Sequence, residues 1–152
     1  MTGANSGLPS IGRLLGLDVG DRRIGMALSD PLRLTAQPLG VLERTSLDHD
    51  LGELAEICQK NEVVGIVAGL PADREGQPGT QAEKVITFAE KVSEVTGTAV
   101  EMWDERFTTV EADRVLREGG VHGRKRKGVR DIIAAQMILQ GYMDAHGGGF
   151  LR

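Results

Sequence analysis

The chain has 152 residues, with 22 acidic side chains against 18 Lys and Arg, for a formal net charge of −4. That length suits one domain, and 40% hydrophobic with 26% charged residues excludes global disorder. Five aromatic residues (Phe88, Trp103, Phe107, Tyr142 and Phe150) are too few for a base-stacking platform, and a lone Cys58 excludes a disulfide framework or Cys-rich zinc site. Residues 1–12 lack the basic and apolar regions of a signal peptide, and no apolar run reaches the length of a membrane span. The expectation is a cytoplasmic chain without membrane contact. It has a flexible N-terminal segment (1–12), one domain (13–145) and a flexible Gly-rich tail (146–152).

Residues 14–19 form a short apolar run ending at Gly20, which reads as a buried strand. Gly20, Asp21 and Arg22 supply turn chemistry, and residues 24–29 read as the hairpin partner, ended by Asp30-Pro31. A weaker third strand is expected over 39–43. From Ser46 the period changes. Leu47, Leu51, Leu54 and Cys58 recur at helical spacing, giving a helix to about residue 61.

Residues 63–69 are uninterruptedly apolar, as in a parallel strand buried on both faces. A Pro/Gly-rich loop over 70–79 follows. The Thr80-to-Glu83 capping box then opens a helix faced by Ala82, Val85, Ala89 and Val92. Residues 99–103 read as the fifth strand. Thr108 to Glu111 is a second capping box for a short helix to about 118, residues 119–128 read as a loop, and residues 129–145 as the last helix. The order β-β-β-α-β-α-β-α-α predicts an α/β fold, a five-stranded mixed sheet with helices on both faces.

Asp18 interrupts an apolar strand, and a charged side chain there needs a partner. Asp104 and Glu105 stand just beyond the fifth strand. Ligands collect at the carboxyl ends of parallel strands, so Asp18 and Glu105 can face one cleft. Taken alone, Asp18 also reads as a strand-end turn carboxylate. Asp131 supplies a third acid, placed in the first turn of the last helix, where a carboxylate also serves as plain helix stabilisation. Three converging carboxylates repel unless a cation neutralises them, and hard oxygen ligands suit Mg²⁺ or Mn²⁺. A pair of such ions about 3.5–4 Å apart stabilises the attacking and leaving oxygens of phosphodiester cleavage.

The net charge conceals its distribution. Between Arg114 and Arg130 stand seven Lys or Arg against one acid, a local +6, while the rest of the chain carries −10. The run Arg124, Lys125, Arg126 and Lys127 immediately precedes Asp131. It can be a solvated surface, or it can reach a phosphate backbone lying across the carboxylate cleft.

Four ordered motifs carry a resemblance. They are residues 17–30 (LDVGDRRIGMALSD), Gly69-Leu70-Pro71, residues 104–109 (DERFTT) and residues 125–131 (KRKGVRD). Together they resemble the YqgF (RuvX) family, described as Holliday-junction-resolvase-like proteins or pre-16S rRNA nucleases of ribonuclease-H-like fold. The resemblance runs from about residue 14 to 144, with a longer polar N-terminus and Trp103 as departures. It implies that Asp18, Glu105 and Asp131 are the catalytic acids and bind Mg²⁺ or Mn²⁺. It further implies that the partner is RNA (pre-rRNA) or branched DNA.

Arg124 to Lys127 are expected to bind nucleic acid. Arg23 and Arg106 also match motif positions, with substrate binding or bracing of the acids both open. The expected activity is metal-dependent nuclease action in pre-16S rRNA maturation or junction resolution, by a monomer or homodimer. The alternative is a non-catalytic nucleic-acid-binding factor in ribosome assembly.

Overall fold

The computed structural model describes residues 8–71, 80–105 and 123–146. Its elements are β1 (Arg13–Val19), β2 (Arg23–Ser29), β3 (Ala36–Glu43), α1 (Leu47–Lys60), β4 (Val63–Leu70), α2 (Thr80–Thr96), β5 (Val100–Asp104) and α3 (Gly123–Ala145). The sheet order is β3-β2-β1-β4-β5. The first three strands form an antiparallel meander, and β1–β4 and β4–β5 are parallel.

Strand alternation sends successive side chains to opposite faces, and each face has its own core. Leu15, Leu17 and Val19 of β1 join Ile24, Met26, Ile66 and Ala68 under α1 and α2, with Leu51, Leu54, Cys58, Val85, Phe88 and Val92 completing the cluster. The other face buries Leu14, Ala27 and Val67 against Ala135, Ile138, Leu139, Tyr142 and Met143 of α3. Leu8, inside the segment expected to be flexible, is buried in this second cluster. At the other end of the described chain, His146 stacks on Tyr142 with ring centroids 4.0 Å apart.

Polar contacts fix the ends of these elements. Ser46 caps α1, its hydroxyl accepting from the His49 N–H at 3.1 Å. Gln136 and Gln140 of α3 exchange hydrogen bonds with the backbone of Ala36, pinning the edge strand β3 to the helix.

Two expectations need correction. β3 begins at Ala36 rather than 39, because Pro38 is tolerated where an edge strand needs no second ladder. More consequential, α3 begins at Gly123 and not at 129, so residues 123–128 are helical rather than part of a loop. Arg and Lys are good helix formers, and two flanking glycines did not outweigh them on a helix anchored by its later apolar stripe. Asp131 therefore lies more than two turns inside α3, not in its first turn. The short helix expected over 108–118 lies outside the described residues.

Candidate active site

The site is built on the α3 face of the sheet, at the carboxyl end of β1. Gly16 of β1 meets Ala135 and Leu139 of α3, so Asp18, two residues on, points to the same face. In register, Asp18 stands opposite Gly25 of β2. The β1–β4 pairing ends at Leu17 opposite Ala68, so one step further brings Asp18 beside Gly69. The aspartate is thus flanked on both neighbouring strands by residues without side chains.

Those two glycines are seats for the other acids. A Cβ on Gly25 would lie 2.1 Å from the Asp131 carbonyl oxygen and 2.9 Å from its Cβ. A Cβ on Gly69 would lie 2.8 Å from a Glu105 carboxylate oxygen and 2.5 Å from Ile138. Any side chain at either position would push an acid away from Asp18. The sequence motifs include both glycines, but only the sheet register shows that they bracket Asp18.

The electrostatics follow from that packing. Burial, then the charges of Glu105 and Asp131, push the Asp18 carboxyl up to about 8, and a hydrogen bond shared with Glu105 adds to the effect. Arg130 opposes the shift without cancelling it. The structure therefore brings Asp18, Glu105 and Asp131 together as a cluster. It is not a closed chelate: among the described residues, no three His, Cys, Asp or Glu side chains form a ready metal cage.

Arg23 donates its Nε–H to Asp131 Oδ2 at 2.8 Å, in an ion pair whose partners are 24% and 21% exposed. Arg23 thus braces an acid, one of the two roles the sequence left open. The backbone of Arg124, Lys125, Arg126 and Lys127 occupies the first turns of α3, on the same helix as Asp131. Arg106 lies outside the described residues.

A concavity lies on the opposite face of the sheet. It has a volume of about 660 Å³ and is lined by Gly20, Arg44, Ser46, Asp50, Lys84 and Phe88 among others. It contains none of the three clustered acids. Its buried carboxylate, Asp50, is held by Arg44 at 3.1 Å and by the Thr45 N–H at 3.1 Å. Arg44 also donates to the Gly20 carbonyl at 2.7 Å and covers the Phe88 ring at 4.5 Å. This network ties the β1–β2 turn to the start of α1, on the face of the sheet opposite the three acids.

The profile of the RuvX family, described as Holliday junction resolvase, matches residues 12–145. The chain belongs to the RuvX family. RuvX relatives from Clostridium botulinum (strain Hall) and Clostridium acetobutylicum are 48% and 46% identical over 133 residues. Those alignments cover 88% of this chain and 97% and 98% of the relatives, which are named provisionally as pre-16S rRNA nucleases.

Among solved structures, RuvC of Thermus thermophilus, in complex with a Holliday junction substrate, superposes with a TM-score of 0.58. It is 13% identical, over 90% of this chain and 96% of that one. The fowlpox virus resolvase, complexed with junction DNA, gives 0.54 at 12% identity over 88% and 98%. This RuvX chain therefore has the ribonuclease-H-like fold of resolvases, and its family is one of nucleases, hydrolases of phosphodiester bonds. No described helix is long and apolar enough to cross a membrane.

Proposed function

We propose that this RuvX protein is a divalent-metal-dependent nuclease that cleaves structured nucleic acid during maturation of pre-16S rRNA, with Asp18, Glu105 and Asp131 as its catalytic acids. The observation that carries the reading is the Asp18 carboxyl, raised by burial and by two neighbouring acids and seated between two glycines that admit those acids. A fold does not gather three carboxylates around a half-buried strand end for stability, because their mutual repulsion opposes folding. The names of the Clostridium relatives support the RNA substrate.

The donor set fits Mg²⁺ or Mn²⁺. It consists of oxygen ligands alone, carries excess negative charge, and the described part of the site includes no His or Cys. When bound, such an ion polarises the phosphoryl oxygen and lowers the pKa of the attacking water. The chain's own residues do the rest. Asp18, on β1, and Glu105, just beyond β5, would hold ligand oxygens at the carboxyl ends of parallel strands that flank β4, and Asp131 is fixed by its backbone seat on Gly25. The basic residues Arg124, Lys125, Arg126 and Lys127 precede Asp131 by four to seven positions, about 6–10 Å along the helix axis. From there they grip the phosphates flanking the scissile bond, and Arg106, next to Glu105, serves the same strand. One domain, residues 13–145, is sufficient for this reading.

The test is incubation of the purified protein with a pre-16S rRNA fragment and with a four-way DNA junction, each in Mn²⁺, Mg²⁺ or EDTA. Metal-dependent cutting of the rRNA fragment is the expected result. Cutting of the junction alone transfers the proposal to branched DNA. Binding of either substrate without metal-dependent cutting makes the protein an assembly factor and removes the catalytic reading.

A further inference from the structure

Arg23 is a basic site residue paired with one of the three acids. It opens β2, and its side chain reaches across 108 positions of sequence to Asp131, with Nε 2.8 Å from Oδ2. Two residues further along the same face of β2, Gly25 receives the Asp131 backbone. Strand β2 therefore holds Asp131 twice, by its main chain and by its carboxylate. The first hold is steric and permanent. The second is an ion pair in which each partner keeps about a fifth to a quarter of its side chain exposed, so the guanidinium can leave for solvent without crossing the core.

The pair also bears on what Asp131 can bind. A carboxylate oxygen ligating Mg²⁺ does so at about 2.0–2.1 Å, and a guanidinium within hydrogen-bond range of that oxygen competes for its lone pairs and repels the ion. The three acids stop short of a metal cage while Asp131 is engaged in this way. Arg23 is therefore placed where a cation is needed and supplies one itself.

We propose that Arg23 is the resident counter-ion of the metal-free acid cluster, exchanged for the divalent ion when the site loads. This rests on the metal-site reading above. In the metal-free protein the guanidinium offsets part of the repulsion among Asp18, Glu105 and Asp131 and keeps the Asp131 side chain ordered. Loading transfers that task to the metal and frees Arg23 at the mouth of the site, where its next anionic partner is a substrate phosphate. Arg23 is thus a positioning residue that weakens metal affinity in exchange for an ordered metal-free site.

The experiment measures Mn²⁺ affinity directly, from the electron paramagnetic resonance of free Mn²⁺, for the wild type, Arg23→Gln, Arg23→Lys, Asp131→Asn and the Arg23→Gln/Asp131→Asn double variant. Arg23→Gln should bind Mn²⁺ about three- to thirty-fold more tightly than the wild type, the range spanned by coupling between neighbouring charges. Its melting temperature in EDTA should be lower than the wild type's. Arg23→Lys, which keeps the charge and perturbs folding least, should stay within about twofold of the wild type, below the coupling range. With Asp131 replaced, removing Arg23 should no longer tighten binding.

Unchanged or weaker Mn²⁺ binding by a folded Arg23→Gln protein overturns the exchange and leaves Arg23 a simple brace. Absence of Mn²⁺ binding in both the wild type and Arg23→Gln overturns the metal-site reading itself, a separate failure.

Discussion

Two aspartates, one on each face of the sheet, contrast a carboxylate whose charge is answered with one proposed for catalysis. Asp50, 2% exposed, sits under the α1 face with its charge answered. Burial alone would raise its carboxyl, but the Thr45 N–H, the Arg44 side chain and the His49 ring outweigh that and hold it below its ordinary range. Asp18 sits on the α3 face, where burial and two further acids act in the same direction and push it up to about 8. Both lie near the carboxyl end of β1, and Arg44 reaches from Asp50 to the Gly20 carbonyl just beyond Asp18. One acid stabilises the strand end on which the other is presented. Stability on one face supports a destabilising constellation on the other, the pattern expected where a fold carries reactive groups.

The contrast breaks first at Asp18. Asp18→Asn should reduce cleavage by on the order of 10³-fold or more, the scale on which an essential catalytic group is felt. In metal-free buffer the same variant should be more stable than the wild type, by roughly 1–2 kcal/mol, because a carboxyl pushed up to about 8 must either take up a proton or ionise beside two acids, and an amide does neither. At Asp50 the sign reverses. Asp50→Ala should cost about 3 kcal/mol, since it leaves Arg44 without its buried partner, and a denaturant midpoint measurement reads it.

Gly25→Ala tests the seat under Asp131. Backbone lies 2.1 Å from the added Cβ, so α3 must shift. A loss of about 1–3 kcal/mol is expected, the cost of overpacking, with a fall in cleavage larger than the stability loss explains.

Asp50 contributes to the acid limb of the pH dependence. Its folded-state value lies below 3.8, so its contribution is fully present above that pH and is lost as pH falls through the lower, folded value. Asp50→Asn should flatten the acid limb of the stability curve. The smallest effect is expected at the α1 cap, where Ser46→Ala should cost about 1 kcal/mol and leave cleavage unchanged.

Much of this arrangement was legible in the sequence. Apolar alternation and helical spacing predict the five strands and the three described helices in order, because burial imposes those periods locally. Asp18 stood out for the same reason, as a charge within a buried strand. The start of α3 was misplaced because a run of like charges between glycines reads as a loop, whereas the stability of a helix comes from packing further along it. The pairing of Arg23 with Asp131 had no local signal at all. It spans 108 positions and exists only because Gly25 lets α3 lie directly on β2. The glycines flanking Asp18 were visible as letters in motifs, but their purpose requires the register of the sheet.

The central claim is that Asp18, Glu105 and Asp131 form a cluster awaiting a cation, and one measurement tests it most directly. Melting temperatures of the wild type and Asp18→Asn are compared in EDTA and across a Mn²⁺ titration. The account predicts a crossing: Asp18→Asn melts higher in EDTA, and the wild type melts higher once Mn²⁺ saturates its site. Two curves that stay parallel across the titration would contradict it.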